Sequence, residues 1–342
     1  MRKFLIVFLV LFWASARGQA ISGFVYDSES KQPLLGASVY FDGSSVGTVT
    51  NENGFFRLEP KIETTASLII TYIGYSSATI EYYDLDDNLK IGLKVDVFEI
   101  PEVIVKSDPF SRRQKLELFR KEFLGDAEIA EDCKILNEDD LELFFNSSDN
   151  TLLAHAKKPL IVENGYLGYK IKFDLREFRV AFRSRSLVRL DNIFTTLIKG
   201  YSFFQDVSES NDEFKFVSRR EKVFEGSIQH LMRNIWNQNW TDNKFKFVLG
   251  KKTVLPAEVF KVSSGSALEN KKVELPEKKV VVIFKKFFNY RSTLNLISEK
   301  KFYIDKYGNY YPYNNVVIGG YLSSSRIDKL LPFDYEYKRP SN

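Results

Sequence analysis

Two histidines and one cysteine are all that 342 residues supply of the side chains most used as transition-metal ligands and acyl-transfer bases. A lone cysteine, Cys133, has no partner within the chain, so an intrachain disulfide is excluded and stability rests on packing. Cys133 itself reads as a small buried hydrophobe. Ten prolines and eighteen glycines are too few for a collagen-like or linker-like chain. Charge of one sign is not in excess either, with 49 Lys and Arg against 45 Asp and Glu. Long apolar runs are missing apart from Phe4 to Trp13, which falls short of the ~20 residues that a helical span requires. What is present is a 44% hydrophobic, 15% aromatic composition, enough for more than one packed core and too apolar for a disordered chain.

The apolar run sits between Arg2-Lys3 and the small-residue stretch Ala14 to Ala20, the order of a secretory signal peptide with cleavage after Ala20. Polar Ser15, Arg17 and Gln19 end the run too early for a membrane-spanning helix. No cysteine lies near the cleavage point, so no lipoprotein anchor of the usual kind is indicated. An exported chain is the expectation, and nucleic acid is a poor partner for one. After the leader, residues 21–106 carry 13 acids and 6 bases, while 107–342 carry 32 acids and 40 bases. An acidic stretch followed by a basic one points to two folding units, with a basic face available to an anionic envelope surface.

From Ile21 the chain runs in short β-branched or alternating segments, Ile21–Tyr26, Ala37–Phe41 and Ser67–Tyr72. Polar turns separate them at Asp27–Pro33, Asp42-Gly43 and Asn51–Gly54. Such spacing predicts a small antiparallel β-sandwich, each strand offering one apolar face. Gly43, Gly47 and Gly54 are expected at positive φ in its turns. The strings Gly23-Phe-Val-Tyr-Asp27, Pro33-Leu-Leu-Gly-Ala-Ser-Val39, Gly47-Thr-Val-Thr-Asn-Glu-Asn-Gly-Phe-Phe56 and Ile73-Gly-Tyr75 resemble the carboxypeptidase D regulatory-like module, over about Ile21 to Lys106 with Ile100–Val105 as closing strand. Ser44 and Asn51 depart from the Thr and Asp usual there. The resemblance implies a seven-stranded transthyretin-like sandwich without catalytic activity, of the kind found at the N-terminus of many envelope proteins of Bacteroidota-type bacteria, often ahead of the plug of TonB-dependent receptors. The residues after Lys106 are too few for a plug and a 22-stranded barrel. A metallocarboxypeptidase partner is missing too, since His155-Ala-Lys-Lys and His230-Leu-Met-Arg contain no H-x-x-E.

Beyond Ser107-Asp-Pro109 an amphipathic helix is predicted over Arg113–Leu124, with Leu116, Phe119, Phe123 and Leu124 on one side. A second is predicted over Ser227–Trp240, where Ile228, Leu231, Met232, Ile235 and Trp236 form a stripe. Strands are expected at 141–145, 151–156, 166–174, 214–217, 244–249, 280–284 and 301–304, giving an α+β domain, mostly β, over 107–342. Phrases such as Asn164-Gly-Tyr-Leu-Gly-Tyr169, Glu225-Gly-Ser-Ile-Gln-His230 and Gly319-Gly-Tyr-Leu322 look like the region that follows this module in short exported proteins of the same bacterial group, a resemblance that brings no activity with it.

Motif matches to known chemistry are thin. Gly43-Ser-Ser-Val-Gly47 has the letters of a nucleophile elbow but lies in an all-β hairpin, and Ser298-Glu-Lys-Lys301 has those of S-x-x-K without its companion motifs. Glu138, Asp139, Asp140 and Glu142 lack the spacing of a calcium loop and read as a solvated turn. His155 and His230 stand alone and read as structural. Two features invite a ligand. Trp236 and Trp240 are four residues apart, and Trp240, flanked by Asn239 and Thr241, could offer a face to a sugar ring. Arg176, Arg179, Arg183, Arg185 and Arg189 alternate with Phe178, Val180 and Phe182 as on a half-buried strand, either a solvated basic face or an anion-binding groove for lipopolysaccharide or acidic glycan.

The reading is an exported, non-catalytic β-rich protein with no cofactor or metal, an N-terminal sandwich (21–106) and an α+β domain (107–342). It works in the periplasm or at the outer membrane as a binding or assembly module, with an outer-membrane protein or envelope glycan as partner. Arg183, Arg185, Arg189 and Trp240 are its candidate ligand contacts. The alternatives are a peptide or glycan hydrolase with its site in 107–342, and a small outer-membrane β-barrel.

Overall fold

A computed structural model describes residues 20–59, 64, 66–81, 88–96, 108–125, 128–187, 192–208, 213–241, 244–265, 270–286 and 288–337. The signal peptide before Ala20, the strand expected at Ile100–Val105 and Arg189 lie outside these residues. The chain divides into two compact units, the first from the ranges 1–40, 46–63 and 67–96, the second from 41–45, 64–66 and 97–342.

Among the described residues of the first unit seven strands follow one another: β1 (Ile21–Asp27), β2 (Ser38–Phe41), β3 (Gly47–Val49), β4 (Phe55–Leu58), β5 (Leu68–Thr71), β6 (Ala78–Ile80) and β7 (Asn88–Leu93). They form two sheets, ordered β4-β1-β7 and β3-β2-β5-β6, the sandwich that the alternation predicted. Along β1 the burial is strictly alternate, with Ile21 and Val25 fully buried, because successive side chains leave a strand on opposite faces. β7 lies parallel to β1 and close against it, so a Cβ on Gly23 would stand 2.4 Å from the carbonyl oxygen of Leu89. Gly54 takes φ +70° in the turn before β4, as expected, whereas Gly47 opens β3 and is not among the positive-φ glycines. Its turn is made instead by Gly43, at φ +73°.

The second unit holds α1 (Arg112–Leu124), β8 (Cys133–Ile135), β9 (Leu141–Asn146), β10 (Thr151–Ala156), β11 (Leu160–Asn164), β12 (Tyr169–Phe182), β13 (Ile193–Asp206), α2 (Glu213–Phe224) and α3 (Ile228–Asn237). There follow β14 (Phe245–Leu249), β15 (Lys252–Val254), α4 (Pro256–Val259), β16 (Lys261–Ser264), β17 (Asn270–Glu274), β18 (Lys279–Lys285), β19 (Asn289–Leu296), β20 (Lys301–Asp305), β21 (Tyr310–Tyr311) and β22 (Val316–Gly320). Among the described residues they make a six-stranded sheet β8-β11-β12-β10-β9 with β13 along the other edge of β12, a five-stranded sheet β15-β14-β18-β19-β22, and a four-stranded sheet β16-β17-β20-β21. Each order ends on edge strands, so none of these sheets closes into a barrel.

Two apolar cores organise this unit. α1 starts at Ser111, whose side chain forms a capping box with Gln114, and packs Leu118, Phe119 and Phe123 on the six-stranded sheet against Phe145, Ile171 and Phe178. The second core gathers Leu231, Met232 and Ile235 of α3 with Phe247, Val282, Phe302 and Ile304. Cys133 is buried in the first core, where burial, then the carboxylates of Asp328 and Asp132, push its thiol up to about 12.

Residues 214–217 form the first turns of α2 rather than the expected strand. Phe214 and Phe216 gave a two-residue alternation, but the stripe that faces inward is Phe216, Val217, Arg220 and Phe224, a helical spacing completed by an arginine. Arg220 is buried; its guanidinium grips both oxygens of Asp206 at 2.7 and 2.9 Å, donates to the carbonyls of Leu167 and Gly168, and lies 3.9 Å over the Tyr169 ring. A charged residue thus does the work of an apolar one, which an apolar pattern cannot register.

Candidate functional site

α3 ends three residues before the predicted Trp240. Gln238 turns into the left-handed region at φ 50° and donates to the carbonyls of Asn234 and Ile235, and Asn239 accepts from the backbone and hydroxyl of Thr241. These side chain-to-backbone bonds compete with another helical turn. Trp236 and Trp240 therefore do not share a helical face. Trp236 is half-buried against the second core, with the Lys271 ammonium 4.4 Å from its ring centre and donating to its carbonyl oxygen.

Trp240 is half-buried as well, its ring stacked on Phe260 at 5.9 Å and 10° and met edge-on by Phe247 at 5.2 Å. One side of the indole is thus fixed by packing, in the offset and edge-to-face arrangements that aromatic rings favour. Around it opens a groove of about 840 Å³, large enough for a small ligand. Its far wall is the β14–β15 hairpin, turned by Gly250 at φ +58°, and the Leu255-Pro256 step into α4, where proline suits the first helical position. Leu255 is 69% exposed there, an apolar side chain held out beside the indole.

Lys246, Ile283 and Lys285 supply the remaining wall. Lys246 opposes Ile283 in the β14–β18 ladder and Lys285 lies two residues on from Ile283, so all three point from the same face of that sheet. Both lysines are exposed, and among the described residues neither makes an ion pair. The groove combines an aromatic face, aliphatic walls and two ammonium groups. Among the described residues its lining includes no carboxylate, imidazole or thiol. Such a combination suits contact with a ligand that has an apolar face and negative charge.

The sequence-predicted contacts fall in two places. Trp240 lines the groove; Arg183 and Arg185 are not part of it, and Arg189 lies outside the described residues. Arg183 and Arg185 lie just past the end of β12, exposed, in the connection to β13. Arg183 donates to the Ile193 carbonyl at 2.9 Å and lies 5.8 Å over the exposed ring of Phe194, while Arg185 donates to the Ser147 carbonyl. Arg176 and Arg179 are exposed residues of β12; Arg179 alternates with buried Phe178 and Val180 as expected, whereas Arg176 stands before the register shift between Leu175 and Glu177. The groove partners Leu255, Phe260 and Lys285 carried no sequence signal, being scattered over separate loops and strands.

Other motif matches are occupied structurally. The Ser45 hydroxyl donates to Asp334 and the Ser298 hydroxyl to Asn315, while the Lys301 amine pairs with Glu299. Neither serine is held by a histidine or lysine in these contacts. Glu138 pairs with Arg120, Asp140 with Lys158 and Glu142 with Lys157, so three of the four acids, two in the turn before β9 and one within β9, are matched by bases. No group of three or more His, Cys, Asp or Glu side chains poised for a metal occurs among the described residues. His230 is buried in α3 between Phe224 and Phe245, its Nδ1 accepting from the Gly226 amide at 3.1 Å. No described helix is long and apolar enough to cross a membrane.

No curated protein matches the sequence. Among solved structures, a Bacteroides fragilis NCTC 9343 protein of unknown function, provisionally described as membrane-associated, aligns over 86% of this chain and 98% of its own at 11% identity. The TM-score is 0.18, and the pair supports no inference about fold or function. The N-terminal unit is different: its strand order and motifs accompany a match of residues 21–105 to the family model of the CarboxypepD_reg-like domain. The chain carries a CarboxypepD_reg-like domain at its N-terminus.

Proposed function

We propose that this protein is a non-catalytic, exported binding or assembly module of the cell envelope, in the periplasm or on the outer membrane, with residues 21–106 as its regulatory-like sandwich and 107–342 as the domain that carries the ligand site. The single observation behind this is the groove at Trp240, where an aromatic face, the exposed Leu255 and the exposed lysines Lys246 and Lys285 converge. The ligand chemistry that fits is an acidic glycan: sugar C–H faces pack on the indole and Leu255, and carboxylate or phosphate substituents pair with the two lysines.

Isothermal titration of the purified protein with acidic and neutral envelope glycan fragments tests this. Saturable binding restricted to the acidic fragments is the expected result. Turnover of a fragment would replace the binding module with a hydrolase, and equal affinity for neutral fragments would remove the role of the lysines.

A further inference from the structure

The outer face of the five-stranded sheet continues the groove beyond Trp240. Burial alternates along β18, with Val280, Val282 and Phe284 in the second core, so Ile283 and Lys285 belong to the opposite face. The ladders carry that face across the sheet: Lys246 of β14 stands opposite Ile283, and Ile283 opposite Arg291 of β19. Asn289, part of the groove lining, lies opposite Lys285 and two residues before Arg291, so the groove already reaches β19 on this side. Arg291 is exposed and, among the described residues, makes no hydrogen bond or ion pair.

Lys246, Lys285 and Arg291 thus surround Ile283. At the backbone Arg291 stands two strand spacings, about 10 Å, from Lys246, and Lys285 lies about 7 Å along β18 from Ile283. Side chains stand roughly perpendicular to a sheet, so this spacing carries over to the charged tips. The neighbours of Arg291 on its face are Ile283 across the ladder, Asn289 and Thr293 along β19, and Val281 and Lys285 on the diagonals. None of these is a carboxylate. Three cations spread over three adjacent strands, with an aliphatic side chain between them, match anionic groups carried on successive units of a chain more closely than a single charge.

Resting on the reading of the groove as an acidic-glycan site, we propose that its ligand is an oligosaccharide with anionic groups on successive units. One sugar packs at Trp240 with its anionic group at Lys246 and Lys285, and the chain continues over Ile283 to a second anionic group at Arg291. Calorimetric titration of the full protein with galacturonic acid, its dimer and its trimer tests this. Affinity is expected to rise about tenfold or more from monomer to trimer, and Arg291→Gln to lower trimer affinity about tenfold while leaving that of the monomer unchanged. Arg291 is exposed, so the variant should fold, which far-ultraviolet circular dichroism checks. Equal trimer affinity in parent and folded variant, or a flat series from monomer to trimer, overturns the proposal. So does an equal loss for monomer and trimer, which would place Arg291 at the first sugar. Any of these results leaves the groove itself standing where Leu255→Ser still weakens binding. Undiminished trimer affinity in both Leu255→Ser and Lys246→Gln/Lys285→Gln would instead remove the groove and this extension with it, as would absence of binding at every length.

Discussion

The phenolic hydroxyl of Tyr75 donates to Oδ2 of Asp27 at 2.8 Å, joining the Ile73-Gly-Tyr75 motif to the last residue of β1 across 48 residues of chain. The other oxygen of the same carboxylate accepts from the amides of Ser30 and Glu29, closing the turn that follows β1. Two of the sequence strings that carry the resemblance to the regulatory module therefore meet at one carboxylate.

That carboxylate should make the first unit acid-sensitive. The Ser30 amide first, then the Tyr75 hydroxyl, hold Asp27 down at about 2, against the ordinary 3.8. A depressed carboxyl stabilises the fold above the unfolded value and ceases to do so as pH falls from about 4 through about 2. Melting curves are expected to show Tyr75→Phe less stable than the parent at pH 7, with the gap narrowing at pH 2. A gap independent of pH would mean that the hydroxyl acts without the charge.

Arg220 should behave as an anchor of α2. Burial alone would raise Asp206, yet the Arg220 bonds leave it below its ordinary value. Replacing Arg220 by Met removes the fork to Asp206 and the donors to Leu167 and Gly168, with an expected cost of about 2 kcal/mol in urea denaturation. Lysine does not restore it, because an ammonium cannot reproduce the planar fork. A loss below about 0.5 kcal/mol would show that the Tyr169 stacking and apolar stripe suffice.

Cys133 is expected to be silent. With its thiol pushed up to about 12 and its side chain buried, it should not react with Ellman's reagent at pH 8 in the native protein and should react fully in urea. Rapid native labelling would mean that β8 opens readily.

Much of this architecture was legible because burial follows simple periods. β1, β2 and β5 of the sandwich and β9, β10, β14, β18 and β20 announce themselves by alternation or apolar runs, and α1 and α3 by helical stripes. β13 did not, since from Ile193 to Gln205 only Ser202 and Phe204 are buried and no face is consistently apolar. α2 was misread because its inward stripe is completed by Arg220. Trp240 was found as a residue but not as a site. Its groove is assembled from Leu255, Phe260, Ile283 and Lys285, which share no local pattern and meet only through the pairing of β14 with β15 and β18.

The groove is where the functional account stands or falls, and calorimetric comparison of four proteins with one acidic glycan fragment tests it directly. The parent should bind saturably. Trp240→Ala and Leu255→Ser should each weaken binding about tenfold, and Lys246→Gln/Lys285→Gln by a similar factor that vanishes at high salt. Leu255 and both lysines are exposed, so those variants should stay folded even if loss of the Trp240–Phe260 stack loosens the core. Undiminished affinity in the folded Leu255 and lysine variants would contradict a ligand site at this groove.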